Sequence, residues 1–346
     1  MASEESADSV DRMQSFEEVL PYLKGLQISL PKALANEAEM APIIPSAPVA
    51  DVEAEIMALP GEQVLMEHRS FMVAYGTAQQ LPLVLREIGR LREITFRAFQ
   101  EGNGGPEDRD DFDLTYLHLF AWDREARAMV GAYRLGRTDE LRAGVGNAGI
   151  YLSQFFNFAE DFFDGPPMLE IGRSFVVPDY QKNHNSLFLL WCGISRYLKA
   201  HPRYRRLYGL VSMSRLYDAR AMAVMRDVLL EPREDVSAGV PYNPDLGEPW
   251  QAFLERTRPF TMKDLSRMVK ALEADEKDVP ALIRHYHKLG ATFHEMAVDT
   301  CFNNTPGLLI RLNAPQIPPK YMKMYFGENW EDYVNYQDPG EGVTSS

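Results

Sequence analysis

The chain has 346 residues, 45% of them apolar, and a formal net charge of −14. That acidic balance argues against sequence-independent binding to nucleic acid, which needs a basic face. Cys192 and Cys301 are the two cysteines, which excludes a disulfide scaffold and a multi-cysteine zinc site.

Residues 1–60 read as an N-terminal extension. Up to about residue 15 it is acidic, Ser-rich and poor in large apolar residues, which predicts disorder. No basic segment precedes an apolar run there, so no secretory signal is expected. A short helix is predicted over Phe16–Leu26, and Met40–Asp51, with three prolines, reads as an extended arm. The compact region is predicted over residues 61–327. Ser70–Tyr75 has strand composition, and Leu81, Val84, Ile88, Leu91 and Thr95 give Gln79–Phe99 helical spacing. Glu101–Asp113 is a Gly-rich acidic loop. Tyr116–Trp122 and Ala128–Leu135 read as a hairpin around Asp123–Arg127. Gly136–Asn147 reads as a loop, and Ser153–Phe163 as an aromatic helix or irregular lid.

Leu169–Val177 is an apolar strand, and Asn185 or Ser186 suits the N-cap of the apolar helix that follows to Ala200. Arg206–Met213 is the next strand, and Arg215–Leu230 a helix with a broad apolar face. Residues 231–261 read as a Pro-rich, irregular insertion. Met262–Ala274 and Val279–Leu289 are predicted helices, with Gly290 placed for a C-cap. Ala291–Val298 and Gly307–Leu312 are the last strands. Residues 328–346 read as a tail, disordered from Gly340. This order predicts a mixed α/β (α+β) domain built around one strand–helix–strand unit. No apolar run reaches membrane-spanning length, so the expected location is cytoplasmic, with peripheral contact to the inner membrane left open.

Four places carry chemistry-bearing residues. Asp108, Asp110, Asp111 and Asp113 put four carboxylates into six residues. That density suits a hard cation, a solvated acidic loop, or a pair, Asp110 and Asp113, that holds an arginine or a substrate ammonium. The spacing fails the EF-hand pattern, and no metal site is expected. In Leu169–Val177, alternation sends Glu170 and Arg173 to opposite faces, and a bulge at Gly172 would turn them to one side. Charges inside an apolar strand are buried only in pairs, so either loop charges pair each of them or the two serve a site. The N-terminus of the following helix offers free N–H groups to an anion, as every helix N-terminus does. The run Arg196–Arg206, RYLKAHPRYRR, is the one dense basic patch. It reads either as cations at a helix C-terminus or as a docking face for an acidic carrier protein or an anionic membrane. His294 and Asp299 have the H-x-x-x-x-D spacing of glycerolipid acyltransferases but lie in a predicted strand without that family's other motifs. No G-x-S-x-G context surrounds Ser212 and Ser214.

Five blocks, FRAFQEG, DRDDFDLTYLHLFAW, MVGAYRLG, MLEIGRSFVVPDYQKNHNSLFLLWCGISRYLKA and YGLVSMS, resemble in their order the hemolysin-like group of GNAT-like acyltransferases. That group includes ornithine-lipid and glycine-lipid N-acyltransferases and long-chain N-acyl amino acid synthases, and more distantly acyl-homoserine lactone synthases. The resemblance spans roughly residues 53–327. It implies a GNAT fold whose parallel strands 169–177 and 206–213 splay apart to admit the pantetheine arm of an acyl donor. It also implies transfer of a long-chain acyl group, 3-hydroxylated in some relatives, from acyl carrier protein to the amine of an amino acid. The amine attacks the thioester directly; no metal or redox cofactor is implied, and acyl-carrier or acyl-CoA is the co-substrate.

Arg92 and Phe96, Asp110 and Asp113, Arg134, and Glu170 with Arg173 fall on the pattern of the autoinducer synthases. Glu170 and Arg173 are the implied catalytic pair, with Glu170 as base. Arg92, Phe96, Asp110, Asp113 and Arg134 fall to the acceptor. Val176, Val177, Asn183, Asn185, Ser186 and Ser212 fall to the acyl donor, with backbone N–H groups near Val176 or Val177 meeting the oxyanion. Lys199, Arg203, Arg205 and Arg206 fall to carrier-protein docking. QKNHNS stands where GNAT members usually carry a Gly-rich pyrophosphate loop, which favours a carrier-bound donor over CoA. The alternatives are a homoserine-lactone-type synthase, against which stands the missing early tryptophan, and a non-catalytic acyl-chain-binding protein. Arg92, Asp110, Asp113, Arg134, Glu170 and Arg173 are expected to converge in space.

Overall fold

In the computed structural model, which describes residues 4–34, 40–182 and 185–338, the apolar segments pair into sheet and are covered by helices on both faces. The strands are β1 (Val64–His68), β2 (Phe71–Thr77), β3 (Leu117–Asp123), β4 (Ala128–Arg137), β5 (Phe156–Phe158), β6 (Met168–Val176), β7 (Arg206–Ser212), β8 (Val236–Ala238), β9 (Thr292–Asp299) and β10 (Thr305–Asn313). The helices are α1 (Glu4–Gly25), α2 (Val49–Met57), α3 (Pro82–Arg97), α4 (Thr138–Val145), α5 (Pro178–Gln181), α6 (Asn185–Ala200), α7 (Ala219–Leu229), α8 (Gly247–Thr257), α9 (Met262–Leu272), α10 (Ala281–Lys288), α11 (Pro319–Phe326) and α12 (Trp330–Val334). Among the described residues the main sheet runs β1-β2-β3-β4-β6-β7-β10-β9, and β5 pairs with β8 apart from it.

Neighbours in the main sheet are antiparallel except β6 and β7, which α6 joins in a strand–helix–strand unit. That parallel ladder is short, running only from Met168↔Arg206 to Glu170↔Tyr208. Beyond it β6 stays with β4 as far as Gly131↔Val176, and β7 stays with β10 as far as Gly307↔Ser212. The two strands therefore part after Glu170 and leave a gap in the middle of the sheet. Helix α6 covers one face with Leu189, Leu190, Ile194 and Leu198, packed with Val73, Leu119 and Val130. Its approach is close at Gly193, where an added Cβ would lie 2.5 Å from the Val73 side chain. Helix α3 covers the other face with Val84, Ile88 and Phe96, packed with Ala74, Phe120 and Ala132.

Strand β6 carries the expected bulge, one residue later than Gly172. Arg134 pairs with Gly172 and Ala132 with Phe175, so Tyr133 alone faces both Arg173 and Ser174. Arg173 takes a φ of 46°, a left-handed conformation that costs a non-glycine residue about 1–2 kcal/mol. The extra residue reverses the side-chain alternation that follows it. Simple alternation puts Phe175 and Val177 on the face of Ile171; instead they pack under α3, on the face of Glu170, while Ile171 stays with the α6 core.

Three further differences have local physical causes. Helix α1 starts at Glu4, well before Phe16, because tertiary contacts hold a sequence of weak apolar content: Phe16, Val19 and Leu23 are buried, Phe16 stacks on Phe253, and Arg12 pairs with Asp264 at 3.3 Å. Residues 138–145 form α4 where a loop is expected. Thr138 Oγ1 exchanges 2.9 Å hydrogen bonds with the backbone of Met168, and Asp139 and Glu140 sit at the positive end of the helix. The insertion at 231–261 contains β8 and α8, the latter burying Trp250, Phe253 and Leu254 at helical spacing. The expectation of disorder from Gly340 falls outside the described residues. Gly290, with φ 85°, closes α10 as expected. No helix among the described residues is long and apolar enough to cross a membrane.

Candidate active site

The parting of β6 and β7 opens onto two cavities. The larger, about 500 Å³, lies on the α6 side and is lined by Tyr133, Phe175, Val176, Tyr180, Leu187 and Leu190 among others. The smaller, about 50 Å³, is a chamber lined by Phe96, Tyr151, Glu170, Arg173, Ser212, Asp299 and Phe302 among others. Ser174 and Leu282 line both. The strand gap is thus the passage between an apolar space and a charged one.

The charge comes from four segments that the sheet brings together. Helix α3 supplies Arg92, β4 supplies Arg134, and the bulge of β6 supplies Arg173. The loop before β3 supplies the carboxylates, fixed by a reciprocal cap: Asp110 Oδ1 accepts from Asp113 N at 3.2 Å, and Asp113 Oδ2 accepts from Asp110 N at 3.0 Å. Asp113 Oδ1 then accepts from Arg92 Nη1 at 2.8 Å and Arg134 Nη1 at 3.2 Å. Arg134 Nη1 also reaches Asp110 Oδ1 at 2.5 Å. Arg173 approaches Asp110 Oδ2 at 3.5 Å and Asp108 Oδ2 at 3.7 Å. The acidic loop therefore holds arginines, while Asp111 alone of the four aspartates is exposed. Aromatic faces complete the setting. The Arg134 guanidinium lies 4.6 Å from the ring centre of Tyr151 and 5.1 Å from that of Tyr116, and the Arg173 guanidinium lies 4.8 Å from Phe302.

Glu170 joins this chain through tyrosines. Its Oε2 accepts from Tyr116 and Tyr208 hydroxyls, each at 3.1 Å, and the Tyr116 hydroxyl accepts from Tyr151 N at 2.8 Å. Burial pushes the Glu170 carboxyl up to about 7 against the pull of Arg134 and the two phenols. For Asp113 the balance is opposite: burial pushes it up, but Arg92 and Arg134 hold it well below the usual carboxylate range. The six expected charged residues do lie together, five in one ion-paired chain and Glu170 beside it. Phe96 meets Phe302 edge to face, ring centres 4.6 Å apart, at the wall of the same chamber.

Other expected residues divide. Val176 and Ser186 line the larger cavity and Ser212 the chamber. Ser186 is not the helix cap, since α6 begins at Asn185; its hydroxyl donates to Tyr180 O at 2.9 Å. The Val177 N–H donates to Val130 O at 3.0 Å and is not free for an oxyanion. Asn183 lies outside the described residues, and of Asn185 only its place as the first residue of α6 is described. The residues of the basic run that were expected at a docking face also make contacts within the chain. Lys199 reaches Glu328 O, Arg203 pairs with Asp139 at 2.9 Å, Arg205 binds Tyr333 O and Val334 O, and Arg206 binds Pro166 O. These four sit where β6 and β7 are still paired, about 24 Å along α6 from its N-terminus at 1.5 Å per residue.

Sequence reasoning missed Tyr116, Tyr151, Tyr208 and Asp299. Asp299 accepts from Tyr151 Oη at 2.8 Å and Cys301 N at 2.9 Å, while His294 bonds Glu231 O at 2.7 Å, so these two residues do not act as a pair. A charge closing an apolar strand marks Asp299 as it marks Glu170. The tyrosines carry no such mark among many aromatics.

Residues 91–191 match the acetyltransferase (GNAT) domain family. A glycine N(alpha)-acyltransferase of Bacteroides thetaiotaomicron is 36% identical over 166 residues, covering 44% of this chain and 48% of that protein. An L-ornithine N(alpha)-acyltransferase of Agrobacterium fabrum is 26% identical over 299 residues, covering 80% of this chain and 94% of that protein. The chain spans about half the length of the glycine-specific relatives it matches. A solved N-acyl amino acid synthase from uncultured soil microbes is 10% identical with a TM-score of 0.38, over 78% of this chain and 98% of that one. The matched domain runs from α3 through β6 into α6, the elements that carry the charged cluster and one side of the gap, and the chain is similar to that domain family and to amino acid Nα-acyltransferases.

Proposed function

We propose that this protein transfers a long-chain acyl group, with 3-hydroxyacyl groups among its substrates, from a thioester on acyl carrier protein or CoA to the amine of an amino acid. The proposed catalytic domain is residues 61–327, with 231–261 as its insertion, 1–60 as an extension and 328–346 as a tail. One observation carries the reading: the β6–β7 gap joins an apolar cavity to a charged chamber, and Ser174 and Leu282 line both. A thioester lying in the gap would keep its acyl chain and pantetheine on the apolar side and present its carbonyl to the chamber.

In this scheme Glu170, directly or through a water, takes a proton from the acceptor's ammonium group, and the freed lone pair attacks the thioester carbonyl carbon. The tetrahedral intermediate collapses with cleavage of the C–S bond, giving the amide and a thiol. Val177 N–H is committed to β4, and successive N–H groups along a strand point to opposite edges, so Val176 N–H faces the gap and is the donor available to the oxyanion. Arg173 orients the chamber through Asp108, Asp110 and Tyr151. Phe96 lines the acceptor side of the chamber, and Arg92, Arg134, Asp110 and Asp113 back it behind Tyr151 and Arg173. Ser186 and Ser212 border the donor path.

The test is direct. The purified protein is incubated with acyl groups on CoA and on acyl carrier protein, against glycine, L-ornithine and other amino acids, and products are read by mass spectrometry. An N-acyl amino acid is expected. Thioester hydrolysis alone, or no product with any pair, overturns the reading.

A further inference from the structure

Glu101 is a buried carboxyl that the scheme above does not use. It follows α3, where its backbone N–H donates to Phe96 O at 2.9 Å and so folds the residue back toward the sheet. The residue is 6% exposed. The other buried carboxylates of this region have partners: Asp113 has two arginines, Glu170 two phenols, Asp299 a phenol and an N–H. Glu101 has only the Ser212 hydroxyl, and among the described residues no cation comes within ion-pair distance of it. Arg173 and Arg215 act on it from farther away. A carboxylate taken out of water without a cation is expensive, so it is retained where a cation comes to it from outside.

Its surroundings say where that cation would sit. Glu101 stands directly behind the lining of the small chamber: its backbone is held by Phe96, its carboxyl bonds the Ser212 hydroxyl, and Asp299 and Arg173 act on it, all four of them lining residues. Around that chamber the guanidiniums of Arg92, Arg134 and Arg173 are ion-paired with Asp108, Asp110 and Asp113, which leaves Asp299, held by Tyr151 Oη and Cys301 N, and both glutamates without an ion-paired cation. The chamber is therefore short of positive charge. Burial first, and Asp299 second, push the Glu101 carboxyl up to about 7, against Ser212, Arg173 and Arg215; an arriving ammonium would pull it back down.

We propose that Glu101 is the counter-ion of the acceptor, holding its α-ammonium group at the chamber until the base takes the proton. The proposal rests on the acyl-transfer reading for the identity of the cation. No bond is made or broken at Glu101: the ammonium binds as an ion pair and leaves as part of the amide.

The experiment compares wild type with Glu101→Gln by calorimetric binding of glycine, L-ornithine and glycolate, without donor, and by steady-state kinetics with donor. Wild type should bind one of the amino acids in preference to glycolate, which has a hydroxyl in place of the ammonium. Glu101→Gln should weaken amino acid binding about ten- to hundredfold, the scale of a charged hydrogen bond, and lose the preference over glycolate. The change should appear in the KM for the acceptor and not in that for the donor, and the melting temperature should hold or rise. Unchanged amino acid binding, wild-type indifference between amino acid and glycolate, or a melting temperature lowered by several degrees would each overturn the proposal. A wild type that acylates amines while Glu101→Gln binds them normally would sink this proposal alone. A wild type that binds amino acids through Glu101 but transfers nothing would instead sink the transfer reading.

Discussion

Arginine serves two regions of this molecule in opposite ways. Arg92, Arg134 and Arg173 are scattered along the chain, yet β4, β6 and α3 bring them onto one group of aspartates in the interior. Lys199, Arg203, Arg205 and Arg206 are close in sequence, yet they disperse to three separate segments, at Asp139, at Pro166 and at Glu328 with Tyr333. The scattered set builds a local electric field where water is excluded and charge interactions are strong. The dense set fastens chain segments at the surface, where the same charges are screened. Crowding of basic residues in a sequence is therefore a poor guide to a site. Single charges embedded in apolar strands are a better one, because only folding can supply their partners.

The contrast can be attacked at both ends. Asp113→Ala leaves Arg92 and Arg134 buried with a lost partner and should cost about 3–5 kcal/mol in urea unfolding, with activity falling alongside; a cost near zero would mean the interior set is not an electrostatic unit. Glu170→Gln should lower kcat by about 10²–10⁴-fold with little change in melting temperature, because an amide oxygen still accepts from Tyr116 and Tyr208.

The pH dependence follows with two signs. Acyl transfer needs Glu170 ionised, so kcat/KM should rise through about pH 7. Stability should move the other way. Glu101 and Glu170 are raised from 4.5 to about 7 in the folded state, so the native protein holds protons that the unfolded chain releases, and stability falls as pH climbs from about 4.5 to 7. Glu170→Gln should flatten that slope in a series of denaturant titrations. The smallest effect is expected outside the interior. Arg203→Ala removes a largely exposed pair with Asp139 and should cost about 1 kcal/mol or less, with the KM for carrier-bound donor unchanged. A KM increase confined to the carrier-bound donor would restore the docking role to the basic run and dissolve the contrast.

What could be read beforehand follows the same division. The strand–helix–strand unit at 168–212 was legible because long apolar runs of strand and helix length leave few alternatives. Arg92, Asp110, Asp113 and Arg134 were legible only through resemblance; their spacing along the chain says nothing of their meeting. Glu170 and Arg173 stood out as charges in an apolar strand, but the bulge that unites them is formed by an arginine with positive φ, a conformation no residue type announces there. Tyr151 and Tyr208 were illegible because their partners, Asp299 and Glu170, lie 148 and 38 residues away. Helices α4 and α8 were missed because a threonine–backbone exchange and packing against α1, rather than propensity, hold them. Glu101 looked like one acid in an acidic loop; unlike Asp108 and Asp113 it is buried without an ion pair, and only the fold shows that.

The bulge at Arg173 and Ser174 also has an evolutionary side. It sets the frame in which the rest of β6 is written. Loss of one residue there would return the strand to plain alternation, turning Phe175 and Val177 toward α6 and Val176 toward α3, and so remodelling in a single step the larger cavity that Phe175 and Val176 line. Length changes should be tolerated in the exposed β3–β4 turn, Arg124–Arg127, and purged from these two positions. In any pairing of this chain with a relative, a gap placed at Arg173 or Ser174 would silently misassign the faces of Phe175, Val176 and Val177, whereas a gap in the β3–β4 turn would leave them in frame.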